Sequence, residues 1–177
     1  MRNGPGRMFR PDGTLQIDGQ FKNGRPSTGS LYGVDGTSLK YRGGLINFEG
    51  NWTPHGKGEL FDADRYEGNF SRGKKHGLGK IFYRNGTRFD GNFVNDKKNG
   101  QGKDSDAVGR IHFEGNYADD RRIVGKMSFP QDNVVEFYEG EFNDLPHGIG
   151  TITWRDGDTF TGDFNQGRNN KLNIEIT

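Results

Sequence analysis

Three histidines share one setting: His55, His76 and His147 each precede a Gly-x-Gly. Imidazoles could hold a transition metal, but one ion needs all its ligands within a single small sphere. These three recur once per repeat, on different rungs, so the spacing assigns them to turns and predicts no metal site. His112 sits on a strand among polar neighbours and suggests no chemistry. Gly73-Lys74-Lys75-His76-Gly77-Leu78-Gly79-Lys80 approaches a phosphate-cradling loop, yet no Ser or Thr follows the lysine and no helix follows the loop. His-Gly-x-Gly would serve a hydrolase only beside a Gly-x-Ser-x-Gly elbow, and the chain has none. Asp104, Asp106 and Glu114 lack the rest of a twelve-residue calcium pattern and read as a loop. With no cysteine there is neither disulfide framework nor thiolate chemistry. No catalytic residue, cofactor or metal is expected, and the protein reads as a non-enzyme.

The side chains that do recur build structure. Tyr66-Glu67-Gly68-Asn69-Phe70 returns as Phe89-Asp90-Gly91-Asn92-Phe93, Phe113-Glu114-Gly115-Asn116-Tyr117, Tyr138-Glu139-Gly140-Glu141-Phe142 and Phe160-Thr161-Gly162-Asp163-Phe164. Upstream lie Phe48-Glu49-Gly50-Asn51-Trp52 and the looser Ile17-Asp18-Gly19-Gln20-Phe21. From Gly68 onward the glycines step by 23, 24, 25 and 22 residues, a repeat array. The steps between Gly19, Gly50 and Gly68 are 31 and 18, so the array reads as out of register around 37–60, where Tyr41-Arg42-Gly43-Gly44-Leu45 is a degenerate copy.

Tyr66, Gly68 and Phe70 share one parity and hence one strand face, with Glu67 and Asn69 on the other. A polar turn over 71–76 leads to a second strand carrying Gly77, Gly79, Ile81 and Tyr83, and Asn85-Gly86 is a strong hairpin signal. Each repeat is therefore about one hairpin. A glycine between two rings leaves a hole that an aromatic of a neighbouring strand can fill. Residues 99–113 lack the apolar pair and predict a shortened strand or loop. The chain opens on Gly4, Gly6 and Met8, partway through a repeat, and Lys171–Thr177 alternates like a closing edge strand. The expected fold is all-β: an elongated, twisted, single-layer antiparallel solenoid with a groove, some 14 to 16 strands spanning roughly 70 Å. It forms one array over 1–177, with 1–46 degenerate, 47–164 best formed and 165–177 closing it.

Apolar residues make up only 29% of the chain, a disorder-like value that the periodic aromatics overrule. No apolar run reaches a membrane span and the N-terminus lacks a signal-peptide core, which points to the cytoplasm. The net charge of +1 gives no reason to expect nucleic acid.

Tyr66-Glu67-Gly68-Asn69-Phe70 followed by Arg72, Gly73, Lys74, His76-Gly77-x-Gly79 and Asn85-Gly86 resembles the MORN repeat (membrane occupation and recognition nexus), with about seven or eight copies across almost the whole chain. The resemblance implies a non-enzymatic scaffold, and it implies cytoskeletal, ciliary or membrane association. Three surfaces follow. The repeat core is Tyr66, Gly68, Phe70, Phe89, Gly91, Phe93, Phe113, Gly115, Tyr117, Tyr138, Gly140, Phe142, Phe160, Gly162 and Phe164. Turns after the aromatic strands carry twelve cations against four carboxylates, while the returning turns carry six against nine, so one edge reads as basic. Its candidate residues for an anionic partner are Arg72, Lys74, Lys75, Lys97, Lys98, Arg121 and Arg122. Phe9, Tyr32, Phe61 and Phe82 have the opposite parity and form a candidate apolar partner face. The leading expectation is a protein partner in the groove. The alternatives are anionic phospholipid on the basic edge, self-association, and service as the regulatory module of a separate enzyme. A native start and a closing strand argue against that last role.

Overall fold

The computed structural model describes residues 1–169, 171, 174 and 175. The strands are β1 (Gly4–Phe9), β2 (Leu15–Lys22), β3 (Arg25–Tyr32), β4 (Leu39–Phe48), β5 (Asn51–Phe61), β6 (Arg65–Ser71), β7 (Lys74–Phe82), β8 (Arg88–Val94), β9 (Lys97–Ser105), β10 (Ile111–Ala118), β11 (Arg121–Ser128), β12 (Val135–Asn143), β13 (Leu145–Trp154), β14 (Thr159–Phe164), β15 (Arg168–Asn169) and β16 (Ile174–Glu175). β1 to β14 follow one another in chain order in one open antiparallel sheet, a single layer of hairpin repeats. No helix occurs among the described residues, so none is long and apolar enough to cross a membrane. The chain divides into two compact units, Met1–Arg84 with Phe93–Asp96, and Asn85–Asn92 with Lys97–Thr177.

Each unit is organised on a row of glycines. In the first, Gly6, Gly19, Gly29, Gly43, Gly58, Gly68 and Gly79 stand opposite one another from β1 to β7. In the second, Gly102, Gly115, Gly125, Gly140, Gly150 and Gly162 do the same from β9 to β14. From β4 onward the space above a glycine pair is filled by the ring two residues before its first glycine, so that glycine is covered from its own strand and the facing one by an aromatic of its neighbouring strand, as the sequence suggests. A Cβ on Gly68 or Gly79 would fall 2.4 or 2.3 Å from the Tyr66 hydroxyl, and Phe89, Phe113 and Tyr138 cover their own pairs in the same way. The tyrosine hydroxyl then donates to a carbonyl three residues on: Tyr41 to Gly44, Tyr66 to Asn69 and Tyr138 to Glu141, at 2.9 to 3.0 Å. That bond holds the ring flat over the glycines and explains why no side chain fits beneath.

The second aromatic of each strand meets these rings edge-on. Tyr41, Phe70, Tyr66 and Phe93 form one T-shaped chain, and Phe89, Tyr117, Phe113, Phe142, Tyr138 and Phe164 another, with centroids 5.0 to 5.3 Å apart. Each such pair contributes about 0.5–1.5 kcal/mol beyond area burial. The chains make up most of a core that a 29% apolar sequence could not otherwise supply.

Several expectations are corrected. Phe48-Glu49-Gly50-Asn51-Trp52 is not a repeat strand but the hairpin turn between β4 and β5, with Glu49 and Gly50 at φ of 51° and 82°. The repeat strand is β4 itself: Tyr41 is buried over Gly58, and the array stays in register through 37–60. The polar turn over 71–76 shrinks to Arg72-Gly73, both at positive φ, the two-residue type that matches strand twist. At Asn85-Gly86 only the glycine has positive φ. That connection is a longer loop, in which the Asn85 carboxamide oxygen accepts from the Thr87 amide and hydroxyl. β9 runs the full length from Lys97 to Ser105, so of the shortened strand or loop expected over 99–113 only 106–110 is a loop. Leu15–Phe48, degenerate as a sequence match, is nonetheless paired, β2 with β1 and β3 and β3 with β4. Of the expected closing strand, Ile174–Glu175 pairs with Arg168–Asn169; residues 172, 173, 176 and 177 lie outside the described ones.

Candidate binding site

The second strand of a hairpin puts a residue opposite the second core side chain of the first, which is aromatic except at Leu45. It is Pro26 opposite Phe21, Pro54 opposite Leu45, Lys75 opposite Phe70, Arg122 opposite Tyr117 and Pro146 opposite Phe142. Where a cation stands there, it is turned onto rings. The Lys75 ammonium lies 5.4 Å from the Tyr66 centroid. That of Lys98 lies 4.2 Å from Phe89 and 5.4 Å from Tyr117, and the Arg122 guanidinium 4.7 Å from Phe113. Three members of the predicted basic edge are thus drawn in over the aromatic chain.

Two of them converge on a carboxylate. Asp104 stands opposite Phe113, at the place where Ile81 faces Tyr66 and Ile152 faces Tyr138. A charge in that row needs partners, and it has three. Lys98 Nζ donates to Oδ1 at 3.1 Å, while Arg122 at 2.7 Å and the Tyr117 hydroxyl at 2.6 Å donate to Oδ2. The side chains of Lys98, Asp104 and Arg122 keep only 16%, 19% and 28% exposure. Burial works to raise the Asp104 carboxyl, but the Tyr117 and Arg122 hydrogen bonds and the nearby cations outweigh it and hold the group below its ordinary value. Burial, reinforced by the Asp104 bond and charge, pushes the Tyr117 phenol far up. The arrangement is a saturated structural ion cluster; among the described residues no group of His, Cys, Asp and Glu is placed to hold a metal.

The rest of the basic edge is partly engaged. Lys97 lies 3.6 Å from Asp119, and Arg72 lies over the Phe48 ring at 5.4 Å. Lys74 and Arg121 are exposed. Neighbouring turns are also clamped together. Asp96 N–H donates to Lys75 O while its carboxylate accepts the Lys75 N–H, and Asp120 does the same with Lys98. These aspartates are structural, a role that a charge tally cannot reveal.

On the opposite face, Phe9 is the barest of the four offset aromatics at 55% exposure, and Tyr32, Phe61 and Phe82 are half-buried. Sequence parity locates this face; what it misses is the cover. Arg42 lies over Phe61 at 5.9 Å and Arg65 over Phe82 at 4.3 Å, and Arg65 also bridges Glu59 and Glu67. In the second unit Lys126 lies over Phe137 at 3.3 Å, and the row Lys103, Glu114, Lys126, Glu139 alternates in sign across β9 to β12. This face is a balanced ladder of cations, carboxylates and aromatic rings. Its sequence signal was the glutamate or aspartate inside each repeated pentapeptide. The exposed aliphatics Leu78, Val124 and Ile149 each directly precede the second-strand glycine.

The repeat-core residues lie in the aromatic chains and glycine rows, with Tyr66, Phe70, Phe89, Phe93, Phe113, Tyr117, Tyr138, Phe142 and Phe164 buried and Phe160 half-buried. The family model for the MORN repeat matches residues 66–88, 89–103 and 138–159. The hairpins outside those segments, such as β2–β3 and β10–β11, carry the same facing glycines. No curated protein matches the chain.

Proposed function

This chain carries MORN repeats, modules that bind proteins or membranes, and on that premise we propose that it is a non-enzymatic scaffold whose partner is a protein docked on the sheet. The observation that carries the choice is the state of the basic edge. Five of its seven candidate cations, Arg72, Lys75, Lys97, Lys98 and Arg122, are already engaged with rings or carboxylates of this chain. A surface for anionic lipid depends on cations that can meet headgroups, each contributing about 1 kcal/mol near the leaflet. Cations held over rings at 16–28% exposure are poorly placed to do so. The opposite face instead offers aromatic rings set among charges of both signs, a composition suited to a protein partner. No cofactor enters this reading, and the cytoplasm, with its cytoskeletal or ciliary structures, is the compartment it suits.

The test compares wild type with Phe82→Ser and with the charge reversal Lys74→Glu/Lys97→Glu. Quantitative affinity capture at high salt should recover a partner set that Phe82→Ser loses and the reversal keeps. Salt-sensitive sedimentation with phosphatidylserine vesicles, lost in the reversal, would replace this reading with the membrane one.

A further inference from the structure

Within the second unit, the first aromatic of each repeat strand serves two glycines, its own and that of the strand after it. Phe89 covers Gly91 and Gly102, Phe113 covers Gly115 and Gly125, and Tyr138 covers Gly140 and Gly150. Opposite the last two rings the following strand sets an aliphatic side chain, Met127 against Phe113 and Ile152 against Tyr138. Those three rings are fully buried. Phe160 breaks the pattern. It covers Gly162 at 2.6 Å, but β14 is the last strand of its sheet, and Phe160 stays half-buried.

Among the described residues the next strand is begun and not continued along β14. Gln166 and Gly167, at φ of 50° and 79°, repeat the turn geometry of Arg72 and Gly73. Asn165 bridges to Arg168, and Asn169 takes the position that Lys75 holds after its own turn. Asn169 then donates to the Asp163 carbonyl at 2.8 Å, while Arg168–Asn169 pairs with Ile174–Glu175. Among the described residues no strand pairs with Thr159–Gly162 on that side. The Asn169 bond fixes the orientation of the edge. Asp163 directs its carbonyl outward, so by strand alternation Thr161 and Thr159 direct both N–H and C=O outward too.

We propose that the outer edge of β14 is a docking site for an extended segment of a partner protein, with glycine opposite Gly162 and an aliphatic residue opposite Phe160. Main-chain hydrogen bonds to Thr159 and Thr161 hold the segment. Specificity comes from the ring: only glycine fits beneath Phe160, and only an apolar side chain completes its burial. A second copy offering its β1 fits poorly: that strand carries Pro5 on an edge position that proline blunts. The Arg2 guanidinium already fills the space over Gly6 that Phe160 would have to enter. The site deepens the protein-binding reading and rests on it only in taking a protein as ligand; it is separate from the Phe82 face.

The test uses the full chain, isotope-labelled, and a synthetic peptide with the sequence of residues 74–82, which carries the required pattern around Gly79 and Ile81. Addition should shift the amides of Thr159, Thr161 and Asp163 and the Phe160 ring. A peptide with Gly79→Val, and one N-methylated at Lys80, should each bind at least about tenfold more weakly. Because these controls alter the peptide, no variant of the protein has to fold. An absence of shifts at millimolar peptide, or equal shifts from the valine peptide, overturns the proposal. So does slow hydrogen exchange at Thr159 and Thr161 in the free monomer, which would mean the chain covers its own edge. Protection that grows with concentration alongside a doubled mass overturns it in favour of a second copy. If the edge fails while Phe82-dependent capture persists, the scaffold reading survives without it.

Discussion

Gly79→Ala is the sharpest probe of how this sheet is held together. In an ordinary strand, replacing glycine by alanine stabilises, because glycine loses about 0.5–1 kcal/mol more conformational entropy on folding. Here the new Cβ would fall 2.3 Å from the Tyr66 hydroxyl and 2.5 Å from its ring carbons. Real contacts are more than an ångström longer, so the ring must move. It cannot move alone: it packs edge-on against Phe70 and Phe93 and donates to the Asn69 carbonyl. Losing much of two aromatic contacts, at about 0.5–1.5 kcal/mol each, and a hydrogen bond of about 1 kcal/mol, against the entropy gain, leaves a net loss of about 1.5–3 kcal/mol. Urea denaturation followed by circular dichroism reads it directly. Tyr66→Leu/Gly79→Ala should lose less than the sum of the single changes, because the leucine vacates the space. Gly77→Ala serves as a control, since its Cβ meets nothing closer than 3.7 Å and only its φ of +67° opposes the change. A neutral or stabilising Gly79→Ala would refute the account of the glycine row.

Four further outcomes follow from the same structure. Asp104→Ile restores the aliphatic found at Ile81 and Ile152 yet should destabilise by about 2–4 kcal/mol in denaturant titration, because it strands Lys98 and Arg122; adding Lys98→Met and Arg122→Met should recover most of the loss. Since the Asp104 carboxyl is held below its ordinary value, its contribution is complete above about pH 4 and is lost as pH falls further, so wild type and Asp104→Ile should converge in stability in acid. Burial pushes the phenols of Tyr41, Tyr66 and Tyr138 up to about 12, so their contribution holds below pH ~10 and is lost as pH rises toward 12; Tyr66→Phe should blunt that alkaline loss in a pH-dependent melting series. Asp96→Ala should cost about 1–2 kcal/mol in thermal or urea unfolding by removing the cap on Lys75 N–H at a positive-φ position, whereas Asp96→Gly, matching Gly73, should cost less.

Strand identity and face were legible in the sequence because parity is a local property: Tyr66, Gly68 and Phe70 must share a face whatever surrounds them. Register was less legible. Phe48-Glu49-Gly50-Asn51-Trp52 scores as a better pentapeptide than Tyr41-Arg42-Gly43-Gly44-Leu45, but a run of residues does not reveal that Glu49 and Gly50 turn the chain. The basic edge shows the same limit. A tally weighs Lys74 and Lys98 alike, although one is exposed and the other is drawn against Asp104 on its own strand.

What the sequence determines by itself is the hairpin repeat and its period, since these rest on spacing along the chain. Tertiary structure decides which ring lies over which glycine and that Asp104 is a satisfied ion in an aromatic row. It also decides that most of the apparent basic edge is spoken for and that Phe160 covers half of a pair. Each of these depends on which side chains meet across strands, and cross-strand distance is set by pairing and turn geometry, which a one-dimensional pattern constrains only in part.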